Sequence, residues 1–150
     1  MLNEQQETAK NLIMDWWKHK IDTKQVFVLA GYAGTGKTFL VRHIVENEME
    51  IPENKVAYVA PTGKAASVLI QRGAKNAITI HKLIYIRTEV EYKTTINGKE
   101  VKSKKVEFIK KPSISNYKLI IVDEVSMVEE KVMRDLLSYG IPLLCCGDIG

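Results

Sequence analysis

Two stretches of this sequence carry residue types whose spacing suits chemistry on nucleotide phosphates. The first is Gly31-Tyr32-Ala33-Gly34-Thr35-Gly36-Lys37-Thr38, which meets the pattern G-x-x-x-x-G-K-[ST] in full. Gly31, Gly34 and Gly36 permit close backbone approaches that a Cβ would block. The N–H groups of the loop, Ala33 and Thr35 included, and the N-terminus of the following helix then point at phosphate oxygens. Lys37 reaches the β- and γ-phosphates, and the Thr38 hydroxyl ligates Mg²⁺. The second stretch is Asp123-Glu124, closing the apolar run Leu119-Ile120-Ile121-Val122. An acid so placed holds Mg²⁺, directly or through water, and Glu124 beside it can orient and deprotonate an attacking water. Lys37, Asp123 and Glu124 are therefore the candidate catalytic residues, with Thr38 and Asp123 the candidate metal ligands.

Weaker signals stand at other element ends. Thr62-Gly63-Lys64 follows the apolar run Val56–Ala60 and precedes a helical pattern at Ala65, Ala66, Val68, Leu69 and Ile70. Ligands collect at that edge of open α/β sheets, so a phosphate contact and a plain N-terminal cap by Thr62 are both open. Thr79-Ile80-His81-Lys82-Leu83 reads as a short helix capped by Thr79. Taken alone, His81 is a packed or surface histidine, and no Cys/His cluster accompanies it. Gln5 and Gln6, taken alone, are solvated amides in a first helical turn.

The elements that must position these groups alternate in the β–α manner. Glu4 to Lys20 reads as a helix with Asn3 as its cap and Ala9, Leu12, Ile13, Trp16 and Trp17 on one apolar face. Val26–Ala30 reads as a buried strand and Lys37 to about Glu48 as its helix, with Phe39, Leu40, Val41, Ile44 and Val45 apolar. Val56–Ala60, Lys118–Val122 and Ile141–Cys146 read as further buried parallel strands. Glu129–Tyr139 reads as a helix with Val132, Met133, Leu136 and Leu137 inward, stopped by Gly140. Between Val90 and Phe108 the rhythm changes. Asn97-Gly98 flanked by β-prone runs predicts a two-residue hairpin turn pairing Ile96 with Lys99 and Thr94 with Val101. With few apolar residues, this hairpin projects from the body. Lys110 to Asn116 reads as the return loop. The expected class is α/β: one domain over 1–150 with a mostly parallel sheet, helices on both faces, and a β-hairpin insert at 86–111.

At 150 residues, 45% hydrophobic and 27% charged, the chain has the composition of an ordinary globular domain. It shows no membrane-length apolar run and no signal peptide. Adjacent Cys145 and Cys146 point to opposite faces of a strand and read as core residues of a reducing compartment. Between Ile86 and Lys111, eight Lys/Arg against four Glu account for the whole net charge of +4. A basic insert suits a polyanion partner and equally a solvated surface loop. The chain stops at Gly150 as a loop begins, which predicts a fragment of a longer protein.

In order, Gly31–Thr38, Ala60-Pro61-Thr62-Gly63-Lys64-Ala65-Ala66, Thr79–Leu83, Asp123-Glu124-Val125-Ser126-Met127 and Gly147-Asp148 resemble helicase motifs I, Ia, Ib, II and III. The set resembles the superfamily 1 DNA helicases of the RecD/Dda type, over essentially the whole chain, as their first RecA-like motor domain. The resemblance implies an ATP-dependent DNA helicase using ATP and Mg²⁺ and moving 5′ to 3′. It implies that Gln6 reads the adenine, with Gln5 as fallback. It places Thr62, Gly63, Lys64, Thr79 and His81 along single-stranded DNA, and the hairpin, with Lys99 at its turn, where such enzymes carry a duplex-splitting pin. Asp148 falls in a Gly-Asp-x-x-Gln segment coupling γ-phosphate to DNA, whose Gln lies beyond Gly150. The arginines completing the ATP site come from a second motor domain, so these residues alone turn ATP over poorly. The implied partners are single-stranded and duplex DNA and that second motor domain, in a cytoplasmic monomer. Two other readings compete. A P-loop ATPase of another class predicts hydrolysis indifferent to DNA, and a non-catalytic nucleic-acid module predicts binding without turnover. Repair, recombination and replication are all open.

Overall fold

Apolar runs of four to six residues, each followed by a helix or turn, lie side by side as a parallel sheet. The structure is a computed structural model that describes residues 2–19, 24–31 and 36–148, with Asp148 described in its backbone alone. Its strands are β1 (Val26–Gly31), β2 (Val56–Ala60), β3 (Ile78–Thr79), β6 (Leu119–Val122) and β7 (Leu143–Asp148), in the order β1-β7-β6-β2-β3. Every neighbouring pair is parallel. The helices are α1 (Glu4–His19), α2 (Lys37–His43), α3 (Gly63–Gln71), α4 (Ile80–Ile84) and α5 (Glu130–Leu137); α2 runs on as a π-helical turn over Ile44–Glu48.

The two-residue period of the strands divides the core in two. Leu119, Ile121, Leu144 and Cys146 face α1 and α2, where they meet Ile13, Trp16, Leu40, Val41 and Ile44. Ile120, Val122, Leu143 and Cys145 face α4 and α5, where they meet Ile80, Leu83, Ile84, Val132 and Leu136. All four residues of β6 are buried, as a strand covered on both faces requires. The adjacent cysteines go to opposite layers, as the strand reading expects. Burial alone pushes the Cys145 thiol up to about 11.

Some expectations need correction. β1 is half-buried rather than buried, because among the described residues it pairs only with β7 and forms the sheet edge; Val28 is 57% exposed. Leu12 and Phe39 fit the helical period but lie outside the core, as does Ile70 on α3. The two-residue strand β3 and the 3₁₀ turn Val125–Met127 had no clear sequence signal.

The hairpin consists of β4 (Tyr85–Ile96) and β5 (Lys99–Lys110), a separate antiparallel sheet. Asn97 (φ 54°) and Gly98 (φ 77°) make the turn with both central residues left-handed, matching the twist of the strands. Ile96 pairs with Lys99 and Thr94 with Val101, the register expected. The strands are longer than the Val90–Phe108 signal and begin one residue before the 86–111 insert. Of both strands only Tyr85 is buried.

Candidate nucleotide site and nucleic-acid groove

Parallel strands deliver their C-terminal ends to one edge, and the candidate nucleotide site forms there. Gly31 ends β1 opposite Asp148 of β7, and Lys37 begins α2. Gly36, between them, has φ 78°, a conformation that disfavours any side chain. The Lys37 ammonium reaches back to the Gly31 carbonyl at 3.3 Å, joining the start of α2 to the end of β1. One strand further in, the Asp123 N–H donates to the Val59 carbonyl at 2.9 Å, carrying the ladder one residue past β6. Asp123 and Thr38 line one small cavity with Val41, Tyr58, Leu69, Ile121 and Cys146. The two candidate metal ligands are thus brought together. Glu124 follows with φ 49°, a left-handed backbone uncommon for a residue with a side chain. It starts the turn Val125–Met127, so the chain reverses immediately after presenting its two acids. Such local strain recurs at functional sites. Ala33, Gly34, Thr35 and the Asp148 side chain lie outside the described residues.

Gln6 joins this site from α1. The Asn3 side chain accepts the Gln6 N–H at 2.9 Å, and Gln6 Oε1 accepts the Asn3 N–H at 3.0 Å, a reciprocal cap. That leaves Gln6 Nε2 at 3.8 Å from where a Gly36 Cβ would stand. Gln5 is exposed and Gln6 half-buried, the latter beside Gly36. Tyr58, next to Thr38, has its phenol pushed up to about 12, chiefly by burial and then by Glu46.

A second cleft, about 180 Å³, opens beyond β2 and is lined by Pro61, Thr62, Ile80, His81, Met127, Val128, Glu129 and Val132. The parallel pairing of Ala60 with Thr79 brings its two walls together. Thr62 accepts the Ala65 N–H at 3.1 Å, and Thr79 accepts the Lys82 N–H at 3.2 Å. Both are therefore caps, and Thr62 also faces the cleft. His81 is exposed, with its ring 5.0 Å from Tyr85 and 5.7 Å from Phe108, so it leans on the root of the hairpin. Gly63 and Lys64 are exposed at the start of α3. Lys99 stands apart, at the far end of a twelve-residue strand and roughly 35–40 Å from that root. Met127, 60% exposed beside His81, was not singled out by sequence; its neighbourhood to Asp123-Glu124 was the available signal.

The AAA domain family profile matches residues 18–149. The chain is 33% identical over 145 residues to the ATP-dependent DNA helicase dda of Enterobacteria phage T4, a match covering 96% of this chain and 30% of that protein. It is 26% identical over 160 residues to the ATP-dependent DNA helicase PIF1 of Trypanosoma brucei brucei, covering 98% of this chain and 14% of that protein. The chain thus spans under a third of the length of these relatives. The crystal structure of the Pif1 helicase from Candida albicans superposes with a TM-score of 0.58 at 19% identity, covering 99% of this chain and 32% of that one, and shows the shared fold. With that profile over most of its length and a parallel sheet in the order β1-β7-β6-β2-β3, the chain belongs to the AAA domain family and has a RecA-like fold.

Proposed function

We propose that these residues form the first motor domain of a longer ATP-dependent DNA helicase that moves 5′ to 3′ on single-stranded DNA. The observation that carries this reading is the shared sheet edge. Thr38 and Asp123 line one cavity, Lys37 bonds to the end of β1, Glu124 follows β6 in the chain, and the cleft of Thr62 and His81 opens one strand further along. The likeness to dda, an ATP-dependent DNA helicase, supports the assignment.

In this account Gln6 recognises the adenine, and the loop from Gly31 to Gly36 wraps the phosphates, with Ala33, Gly34 and Thr35 among the donors. Asp148 senses the γ-phosphate. Lys37 neutralises charge that builds on the transferring phosphoryl group, and Glu124 accepts the proton of the attacking water. Thr38 and Asp123, neighbours around one small cavity, would hold Mg²⁺, because a hydroxyl and a carboxylate are the hard oxygen donors that ion takes. When bound, Mg²⁺ supplies charge neutralisation on the β- and γ-phosphate oxygens. Thr62, Gly63, Lys64, Thr79 and His81 hold the single strand, and the basic hairpin, with Lys99 at its tip, meets the duplex. A second motor domain contributes the arginines; without such a group, phosphoryl transfer slows by about 10³–10⁵. Buried Cys145 and Cys146 support a reducing, cytoplasmic setting. Among the described residues, no helix is long and apolar enough to cross a membrane.

Unwinding assays with the full-length protein on duplexes carrying either a 5′ or a 3′ single-stranded tail test this reading. ATP-dependent separation of the 5′-tailed duplex alone is expected. Separation only of the 3′-tailed substrate would overturn the direction, and separation of neither would overturn the helicase.

A further inference from the structure

We propose that Tyr85, Asp135 and Tyr139 form a clamp at the root of the hairpin that fixes its direction, and that strand separation depends on this clamp. The proposal rests on the reading of the hairpin as the element that meets the duplex.

A two-stranded ribbon has little stability of its own in water and borrows its orientation from what it packs against. Here that is almost nothing along the ribbon, since every residue of β4 after Tyr85 and all of β5 lie outside the buried core. The direction must therefore be set where the two strands enter the body. There the Tyr85 hydroxyl donates to the Asp135 carboxylate of α5. The Tyr139 hydroxyl, just past α5, donates to the Lys111 carbonyl at 2.6 Å. The Lys111 N–H donates to the Ile84 carbonyl at 2.7 Å, joining the incoming chain to the outgoing one. The Lys110 ammonium lies 4.7 Å above the Tyr139 ring. Burial, and then Asp135, hold the Tyr85 phenol above its ordinary range, so the donor persists further into alkali.

Both ends of the ribbon are thus tied to α5 and the turn that follows it, and that segment links the acid pair to the hairpin. α5 follows Glu124 through the turn Val125–Met127, and its Val132 and Leu136 are buried against the sheet. A hairpin that wags on a loose root cannot transmit a step of the motor to a base pair. A hairpin clamped to α5 moves with the segment that follows Asp123-Glu124. Tyr85, Asp135 and Tyr139 are positioning residues, since none lies in the nucleotide site or the DNA cleft.

The test uses the full-length protein with spin labels on Thr95→Cys, near the hairpin tip, and Gln71→Cys, at the end of α3. One narrow distance distribution is expected in the parent. Tyr85→Phe and Tyr139→Phe should each broaden it and lower duplex separation per ATP hydrolysed by about tenfold, with DNA-stimulated hydrolysis within about twofold of the parent. A role in folding alone would lower thermal stability without changing the number of base pairs opened per ATP. Should either phenylalanine variant misfold, Asp135→Ala removes the acceptor of the Tyr85 hydroxyl and should broaden the distribution in the same way. A narrow distribution in the variants would overturn the proposal, as would unchanged separation despite a broad one. A parent that hydrolyses ATP on DNA yet opens no duplex would overturn the role in strand separation and the reading beneath it, with the distances still reporting on the clamp.

Discussion

Replacing Thr62 separates two roles that its hydroxyl combines. It caps α3 by accepting the Ala65 N–H at 3.1 Å, and it faces the cleft shared with His81 and Met127. Thr62→Ala removes both functions. Loss of the cap costs about 1 kcal/mol, which lowers Tm by about 2–4 °C in a chain of this size. Thr62→Asp keeps a capping oxygen and adds a negative charge where the helix dipole welcomes it, so Tm should stay at or above the parent value. For DNA the order reverses. A carboxylate about 4 Å from a phosphate costs about 1 kcal/mol in a water-like medium, or about fivefold in affinity, and the hydroxyl donor is lost as well. Thermal melts and fluorescence anisotropy with labelled oligothymidine at low and physiological salt measure the two effects. Thr62→Asp should be stable but bind DNA at least fivefold more weakly at low salt, with the gap narrowing as salt screens the charge. A Thr62→Asp protein as unstable as Thr62→Ala would refute the capping account. Unchanged DNA affinity would refute the placement of the strand in this cleft.

Other perturbations have equally definite outcomes. Glu124→Gln should keep nucleotide affinity within a few-fold and lower turnover by at least about 100-fold; an affinity lost along with turnover, read by fluorescent-nucleotide titration, would contradict its assignment as the base. At Gly73 (φ 104°) an added Cβ would stand 2.4 Å from Arg42 Nη1, so Gly73→Ala must displace a guanidinium bonded to Glu46 at 3.2 Å. With the positive φ, that should cost roughly 1–2 kcal/mol in chemical denaturation and leave the ATP site intact. Gly98→Val, in a turn requiring φ 77°, should loosen the hairpin and accelerate amide exchange in β4 and β5 while sparing β6. In alkali, Tyr58 and Cys145 titrate at about 12 and about 11 when folded, above their ordinary 10.0 and 9.0. Their stabilising contribution is complete below pH 9 and is lost as pH rises through 11 to 12, because the unfolded chain releases these protons first. A Tm constant up to pH 12 would contradict their burial.

The sequence discloses most where the physics is local. β6 reads from four consecutive aliphatic residues because both its faces are covered, and the hairpin register reads from Asn97-Gly98 because only such residues suit that turn. The exposure of Leu12, Val28 and Phe39 is not legible in periodicity, because it depends on which neighbours reach them. The candidate site divides in the same way. Lys37, Thr38, Asp123 and Glu124 announce themselves by type and spacing, and the structure adds that Thr38 and Asp123 share a cavity. The reciprocal bonds of Asn3 and Gln6 follow a local pattern, Asn3-x-x-Gln6, that is legible in the sequence. No local signal marks the bond between Tyr85 and Asp135, fifty residues apart, or the left-handed backbone of Glu124.

In the proposed motor, ATP turnover at Lys37 and Glu124 is coupled to a strand held near Thr62 and His81. ATP hydrolysis by the full-length protein, with and without single-stranded DNA and with Lys37→Ala as control, tests it most directly. Strong stimulation by DNA that vanishes in the variant is expected. Hydrolysis indifferent to DNA, or DNA binding with no hydrolysis at all, would contradict it.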